Sequence, residues 1–365
     1  MPETTVSLRI GAQALEQATP LWRRLEAEED PPPFQTLGWA NAWLAHLGDG
    51  AEPWLAIAGE PASGLLAMAL RRVAGTRVLA LLGHGASDYL GALGTARDPA
   101  WLEALGRALR RESRRFDLVD FLSLHADEAQ RAALVRGLGR GARTRAYERC
   151  PLVRIDTSWE DYLKTRSANQ RKNAKRLARR VGARGEVAIE REKATPELFE
   201  ELVEVERASW KWEQGLSSLR DPQRRGFLRE ILLAGGVRHE LWTCRVEGRL
   251  AAFAILLLGG RTRYYYLASF REDVPRVGNL LLLALLQESF QTGFAEFDFL
   301  QGDEPYKFEW SNSEREVHQL VAAGGGWLGV PALATVRMRW WLARSERLRR
   351  LRTSLLPKLR REAAE

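Results

Sequence analysis

Five side chains that can move protons or stabilise charge lie close together in the stretch EFDFLQGDEPYKFEW, residues 296–310. They are Asp298, Asp303, Glu304, Tyr306 and Lys307. The carboxyl groups can accept a proton, the phenol can donate one, and the ammonium can stabilise negative charge. The stretch predicts a catalytic site, unless the residues after Gly302 form only a solvated turn. Phe308 and Trp310 argue against full solvent exposure, because they would anchor the loop.

Asp298 is the candidate base whose surroundings the sequence describes best. Strand alternation puts it on the face opposite Phe297 and Phe299. A half-buried carboxyl beside apolar neighbours has a raised pKa, which suits a general base. The same carboxylate could instead accept hydrogen bonds from nearby backbone or from an arginine, and the sequence leaves both roles open.

A helix start in FREDVPRVGNLLLL (270–283) is the candidate site for a phosphate group. Pro275 breaks the chain before a strongly apolar helix, whose first N–H groups are unpaired. The predicted contacts are Arg276, Val277, Gly278, Asn279 and Leu280. An ordinary turn before a helix is the alternative. In the first half, Asp98 at the matching helix start would compete with an anionic ligand, so we expect a cofactor in the second half only.

Other side chains are candidates for contacts with a second substrate. Trp210, in ASWKWEQG, could line a sugar or acyl pocket, although core packing is the alternative. Asp88 and Tyr89 end a strand-like run and could face a cleft between the two halves. The basic stretch RSANQRKNAKRLARR (166–180) predicts either a solvated helix face or a contact with a polyanion.

The elements that must position these residues occur twice along the chain. In the second half, helical patterns (195–234) are followed by three strands (239–248, 250–260, 262–270), a helix (278–293) and the strand AEFDFLQG. The first half repeats this order with a helix (37–48), three strands (53–60, 64–75, 76–85), a helix (98–113) and the strand FDLVDFLSL. This repeat predicts an α/β fold of the α+β type, with two lobes that each hold a mixed, mostly antiparallel sheet flanked by helices.

Composition narrows the class of protein. The chain has 365 residues, is 45% hydrophobic and 28% charged, and carries a net charge of +8, which favours polyanionic partners. No apolar run reaches the roughly 20 residues that span a membrane, and the first residues lack a signal-peptide pattern, so we expect a cytoplasmic protein. The two cysteines are far apart and the five histidines are scattered. We therefore predict no disulfide framework and no metal site.

The C-terminal segment is basic and contains apolar residues. Residues 337–361 hold Trp340, Trp341 and several leucines among many arginines. We expect a basic amphipathic helical tail over 331–365. It either packs its apolar stripe on the second lobe or lies peripherally on an anionic inner-membrane face.

Taken together, these stretches resemble the GNAT-like acyltransferases of the CelD-like family, which are related to the FemAB peptidyltransferases. The resemblance covers roughly residues 30 to 325. It is carried by RSANQRKNAKRLARR, VEGRLAAFAILLLGGRTRYYYLASF and VGNLLLLALLQESFQTGFAEFDFLQGDEPYKFEW, and in the first half by PFQTLGWANAWLAHLG and GHGASDYLG. DVPRVGNLL lacks the second Gly or Ala of the family's CoA signature.

The resemblance implies an N-acyltransferase built from tandem GNAT lobes, 1–150 and 151–330. Acyl-CoA, with an acetyl or longer chain and no metal, would bind the second lobe at 276–280. The acceptor would be an amine on a sugar or polysaccharide precursor, bound between the lobes, with Arg171 facing the site.

In this interpretation Asp298, Asp303 or Glu304 is the base, Tyr306 is the acid and Lys307 stabilises charge. Two alternatives stay open. One is a Fem-like aminoacyltransferase that takes its donor from tRNA, and the other is a non-catalytic scaffold of a polysaccharide-synthesis complex.

Overall fold

A single mixed sheet flanked by helices runs through the whole molecule. The computed structural model describes residues 5–139, 141–168, 170–172, 176–177, 181 and 186–344. The strands are β1 Val6–Ile10, β2 Glu52–Ala58, β3 Gly64–Val73, β4 Thr76–Leu81, β5 Leu93–Gly94, β6 Leu118–Leu124, β7 Arg143–Arg154, β8 Val187–Glu192, β9 His239–Val246, β10 Arg249–Gly259, β11 Thr262–Phe270, β12 Glu296–Asp298 and β13 Ser313–Ala323. The helices are α1 Ala12–Glu29, α2 Leu37–His46, α3 Pro99–Arg111, α4 Glu128–Leu138, α5 Trp159–Thr165, α6 Pro196–Arg207, α7 Trp210–Glu213, α8 Pro222–Leu233, α9 Val277–Gln291, α10 Pro305–Trp310 and α11 Gly329–Arg344.

The two predicted lobes are present and have matching topology. The sheet order is β1-β2-β3-β4-β6-β13-β7-β12-β11-β10-β9-β8, with β5 added to β3. In the first lobe β4 pairs in parallel with β6, after the crossover through α3. In the second lobe β11 pairs in parallel with β12, after the crossover through α9. The other pairings in the sheet are antiparallel, apart from one isolated parallel bridge, so the prediction of tandem, mostly antiparallel lobes is confirmed.

Two strands join the lobes into one sheet. β7 pairs with β12 of the second lobe, and β13 lies between β7 and β6 of the first lobe. The predicted boundary between residues 150 and 151 falls inside β7. The centre of the sheet is therefore built by strands that follow the two repeats, and it places the ends of β6 and β12 near each other.

The helix α9 covers one face of the second lobe because its side chains are apolar almost all round. Leu281, Leu285 and Leu286 are buried in a cluster with Phe297 of β12. On the opposite face, α6 and α8 pack with aromatic residues of the first lobe. The rings of Trp39 and Phe227 meet edge-on there, with their centres 4.9 Å apart. The second lobe is thus held between its own helix on one face and the lobe interface on the other.

The C-terminal helix α11 packs at the first lobe, which differs from the expectation that it would close on the second. Its Leu333 is buried against Leu118 of β6 and Val321 of β13. The reason is that β13 carries the chain back beside β6 before α11 begins. Residues 345–365 of the predicted tail lie outside the described residues. Among the helices that are described, none has the length and apolar character needed to cross a membrane.

Candidate active site

An opening between β11 and β12 is the centre of the candidate site. The two strands pair only over Thr262–Tyr264 and Glu296–Asp298. β11 then continues to Phe270 alongside β10, while the chain after Asp298 turns toward β7, where the N–H of Phe299 donates to the Pro151 carbonyl at 3.0 Å. The far half of β11 therefore presents a backbone edge that β12 does not pair with.

A bulge in β11 aims two side chains into this opening. Ile255 pairs with Leu267 and Leu256 with Tyr265, so Tyr266 is an extra residue on β11. Since a bulge interrupts the alternation of a strand, Tyr266 and Leu267 point to the same side. Both line a cavity of about 290 Å³ between the lobes. The sequence RYYYL shows an aromatic strand, but the alternation rule alone could not predict this arrangement.

Asp88 reaches this cavity from the first lobe. Its carboxylate accepts a hydrogen bond from the N–H of Gln301 at 3.2 Å, and its carbonyl accepts one from the Gln301 side chain at 2.7 Å. The pKa of Asp88 is raised to about 7, chiefly by burial and also by the Asp298 charge, while the Gln301 N–H and Lys307 act to lower it. The other lining residues are Gly85, Ala86, Ser87, Leu122, Ser123, Tyr147, Ser218, Arg224, Phe227, Leu228, Tyr266, Leu267 and Gln301. Asp88 is thus a carboxyl group in a cleft that exchanges its proton near neutral pH.

Asp298 lies behind this cavity rather than in its wall. It is fully buried and accepts hydrogen bonds from the Tyr89 hydroxyl (2.8 Å), the Leu300 N–H (2.7 Å) and the Arg315 guanidinium (3.0 Å). Burial raises its pKa to about 6, against the lowering effect of Arg315. Asp298 therefore accepts hydrogen bonds from backbone and from an arginine, which was the alternative to a role as general base. Tyr89 is also buried, and its hydroxyl group is satisfied there because it donates to Asp298.

Arg315 is the functional residue that sequence reasoning missed. It also bonds Glu296 at 2.7 Å, and its guanidinium lies 5.6 Å from the centre of the Tyr89 ring. Arg315 lies in SEREVHQL, where Glu314, Arg315 and Glu316 are consecutive charged residues and leave no apolar–polar alternation. The sequence therefore carried no clear strand signal here, and β13 is the strand that delivers Arg315 to the lobe interface.

The remaining residues of the catalytic prediction form the loop after β12. The Lys307 ammonium is almost fully buried and bonds the Gln301 carbonyl at 2.6 Å and Glu304 at 3.0 Å. It thereby fixes the backbone segment that contacts Asp88. Asp303 lines a second cavity of about 460 Å³, together with Ala146, Tyr147, Glu148, Arg149, Gly302, Phe308 and Glu316. Tyr147 borders both cavities, so they lie side by side.

Tyr306 packs toward the other side of the opening. Its ring lies 6.2 Å from that of Phe299, and desolvation, followed by the Glu304 charge, raises the pKa of its hydroxyl. A raised pKa makes the phenol a weaker acid, so the acid role of Tyr306 stays a prediction.

The start of α9 has no side-chain cap and exposes part of its first turn. Arg276 precedes the helix in the left-handed conformation, at φ 72°, and no side chain caps the helix start. Arg276 and Asn279 are exposed, while Val277 and Leu280 are buried in the core. A Cβ at Gly278 would lie 2.5 Å from Cδ1 of Phe270. The glycine is therefore required by the packing of α9 on the end of β11, whatever binds there.

Arg171 and Trp210 lie outside both cavities. The Arg171 guanidinium donates to the backbone carbonyls of Lys164 and Arg166, at 3.1 and 2.6 Å, and so closes the end of α5. Trp210 is 38% exposed at the start of α7. Their roles in substrate binding stay predictions. Of the cations on the basic helix face, Arg179 and Arg180 lie outside the described residues.

Both cysteines are buried, as expected of small apolar residues, and burial raises the pKa of Cys244 to about 11. In the part of the chain that the structure covers, no three His, Cys, Asp or Glu side chains converge in a way that could hold a metal ion.

Comparison with known proteins supports this description of the second lobe. Residues 168–308 match the model of an acetyltransferase (GNAT) domain. This segment includes β11, the start of α9, β12 and the loop that carries Lys307. No curated protein sequence matches the chain.

Several solved structures share the fold of almost the whole chain. FemX matches with a TM-score of 0.58 and 12% identity, over 82% of this chain and 95% of its own. L-PGS from Bacillus licheniformis matches with a TM-score of 0.56 and 15% identity, over 87% and 95%. A tandem GNAT protein from the clavulanic acid biosynthesis pathway matches with a TM-score of 0.50 and 17% identity, over 88% and 99%. At these identities the structural likeness concerns the fold. The match of residues 168–308 to the GNAT acetyltransferase model supports an N-acyltransferase enzyme.

Proposed function

We propose that this protein transfers an acyl group from acyl-CoA to an amine that binds in the cavity between the lobes. The observation that carries the proposal is Asp88, which lines this cavity together with Tyr266 and Leu267 of β11 and has a pKa of about 7. A general base works best when its pKa is near the working pH. Asp88, grouped with substrate contacts by the sequence, is therefore our candidate for the base.

The donor site in this proposal is the start of α9. Its first N–H groups and the positive end of the helix dipole favour phosphate groups, and the exposed Arg276 adds a positive charge. The CoA assignment and the finer resemblance to the CelD-like family rest on these residues and on the sequence stretches quoted above.

The reaction requires a proton acceptor, a site for the oxyanion and a leaving group. The protonated amine gives its proton to Asp88, and the neutral nitrogen then attacks the thioester carbonyl. A C–N bond forms, the C–S bond breaks, and the second amine proton passes to the departing CoA thiolate, which leaves as the free thiol. Backbone N–H groups along the edge of β11 are candidate donors to the oxyanion, since β12 does not pair with that edge beyond Tyr264.

The two cavities favour a polar, cationic acceptor. Glu148, Asp303 and Glu316 border the second cavity against one cation, Arg149, and the net negative field attracts a protonated amine toward Asp88. Ser87, Ser123, Gln301 and Arg224 line the first cavity and can bond hydroxyl groups. This lining is compatible with an amino sugar or a polysaccharide precursor, which we propose as the acceptor class.

The test is the release of CoA thiol with acetyl-CoA and longer acyl-CoAs against a panel of amines and amino sugars. For wild type we expect a rate that rises with pH through about 7, because the base must be ionised. Asp88→Asn should lower kcat by about 100- to 10,000-fold and remove this rise. Asp127→Asn, which changes an exposed helix cap that lines neither cavity, is the matched control. A folded Asp88→Asn variant with wild-type rate and pH profile would show that Asp88 is not the base.

A further inference from the structure

Three exposed apolar side chains lie just before α11 and along its first ten residues. Seven large apolar side chains in the described parts of the chain are exposed, and three of them fall within residues 327–338. They are Trp327 at 85%, Val330 at 74% and Met338 at 61% exposure. Single exposed apolar residues are ordinary, but a group of this size marks a surface that contacts something other than water.

The packing of α11 fixes this group toward the outside. Leu333 is buried against the sheet, and the Trp340 ring N–H donates to Gln319 of β13 at 2.9 Å. Val330, Ala334 and Met338 follow one another at intervals of four residues and are all exposed, so they form one outward ridge of the helix. The helix cannot turn them inward without breaking these contacts. We call Trp327, Val330 and Met338 the Trp327 surface.

Positive charge surrounds the Trp327 surface. Arg337 is exposed on α11, and the exposed Arg114 follows Ser113, whose carbonyl accepts the N–H of Gly325. The Arg77–Asp117 ion pair lies against Gly326, the residue before Trp327, so Arg77 is close to this surface with its charge paired. The sequence from 337 to 361 adds nine arginines and one lysine against the single acid Glu346.

We propose that the Trp327 surface docks the protein on an anionic lipid membrane. Apolar side chains, with Trp foremost, enter the interface between head groups and acyl chains, while arginines bind lipid phosphates. An RNA partner would use the arginines and Trp327, but it has no use for exposed Val330 and Met338, since aliphatic side chains do not stack on bases as aromatic ones do. The combination therefore favours lipid.

The test is sedimentation of the full chain with phosphatidylcholine vesicles, with and without phosphatidylglycerol. We expect binding to the anionic vesicles that weakens with added salt. The triple variant W327S/V330S/M338S should bind about tenfold or more weakly. It removes only exposed side chains, so the fold should be kept, which circular dichroism would verify.

The matched control is Leu216→Ser, which removes another exposed apolar side chain (57%) from the second lobe and should leave binding unchanged. Equal binding of the triple variant and wild type would overturn the proposal. It would also be overturned if tRNA displaced the vesicles equally well from both proteins, because the contact would then be a general polyanion contact. The assay needs no acyl donor, so its outcome is independent of the proposed enzyme activity.

Discussion

The two lobes share a topology, but they differ in what occupies the opening between their parallel strands. In each lobe, two parallel strands diverge after three paired residues, β4 from β6 and β11 from β12. In the first lobe the chain fills the gap itself. The N–H of Leu90 donates to the Ser123 carbonyl at 2.9 Å, and the N–H of His125 donates to the Leu90 carbonyl at 2.7 Å. In the second lobe the corresponding space is bordered by the cavity, and Asp88 from that filling segment lines it.

The starts of α3 and α9 also differ in a way that favours a ligand in the second lobe. In the first lobe, the Asp98 carboxylate caps α3 by accepting the N–H groups of Ala100 and Trp101, at 2.7 and 3.1 Å. In the second lobe, α9 has Arg276 at the same position and no side-chain cap. A helix capped by its own carboxylate has little to offer an anion, whereas an uncapped one does. The first lobe therefore supports the site, and the start of α9 in the second lobe is suited to bind the acyl donor.

The two lobes also differ in the partner of the acidic residue on the last strand of each repeat. Asp120 of β6 accepts a neutral hydrogen bond from Gln319 at 2.8 Å, while Asp298 of β12 is paired with Arg315. Both partners come from β13. The charged pair lies at the lobe interface, where water cannot replace a lost partner.

The largest expected effect comes from breaking this charged support. Arg315→Leu leaves Asp298 buried without its cation and should lower the free energy of unfolding by about 3–5 kcal/mol. Arg149→Leu is the control, because its pair with Glu314 is more than half exposed on the arginine side and should cost about 1 kcal/mol or less. Urea denaturation measures both. Similar losses for the two variants would mean that the buried pair is not special.

The pH dependence of Asp298 gives the second prediction. Folding raises its pKa from 3.8 to about 6, so the carboxyl takes up a proton on folding. Its contribution to stability is present below about pH 4 and is lost as pH rises through about 6. Asp298→Asn should therefore gain stability relative to wild type over this range, by up to about 3 kcal/mol. Unfolding curves at both ends of the range test this, and a constant difference would refute it.

The smallest effects should come from the helix starts. Asp98→Ala removes the cap of α3 and should cost about 1 kcal/mol. Asn279→Asp adds a negative charge in the first turn of α9 and should stabilise the folded protein by about 0.3–1 kcal/mol. Chemical denaturation would measure both shifts. If Asn279→Asp lowered stability, the start of α9 would not be the open positive end that the account describes.

The strands at the site could be predicted because their apolar and aromatic residues leave a clear pattern. β9, β10, β11 and the helix α9 fall close to the predicted bounds. β7 and β13 were not predicted, since RTRAYERCPLVR and SEREVHQLVAA are rich in charge. Their charges are satisfied by partners on neighbouring strands, such as Glu314 for Arg149, and that pairing is invisible in one sequence.

The residues of the site were likewise predictable in part. The sequence singled out Asp88, Asp298 and Lys307 by type and position, but it could not tell which of them reaches the cavity. That depends on the bulge at Tyr266 and on the turn of the chain after Asp298, which are consequences of tertiary packing. Gly278 is a related case. The sequence singled it out, but a glycine is required there because of its close contact with Phe270.

The most direct test of the account is calorimetric titration of the protein with acetyl-CoA and longer acyl-CoAs. We expect one site, whose Kd rises about tenfold or more in Asn279→Asp, because the new charge faces the donor phosphates at the start of α9. Gln291→Glu makes the same charge change at the exposed far end of α9, and Asp98→Asn changes the first-lobe helix start; both should bind as wild type does. Absence of binding by the folded protein, or equal affinity in Asn279→Asp, would contradict the assignment of the donor to the second lobe.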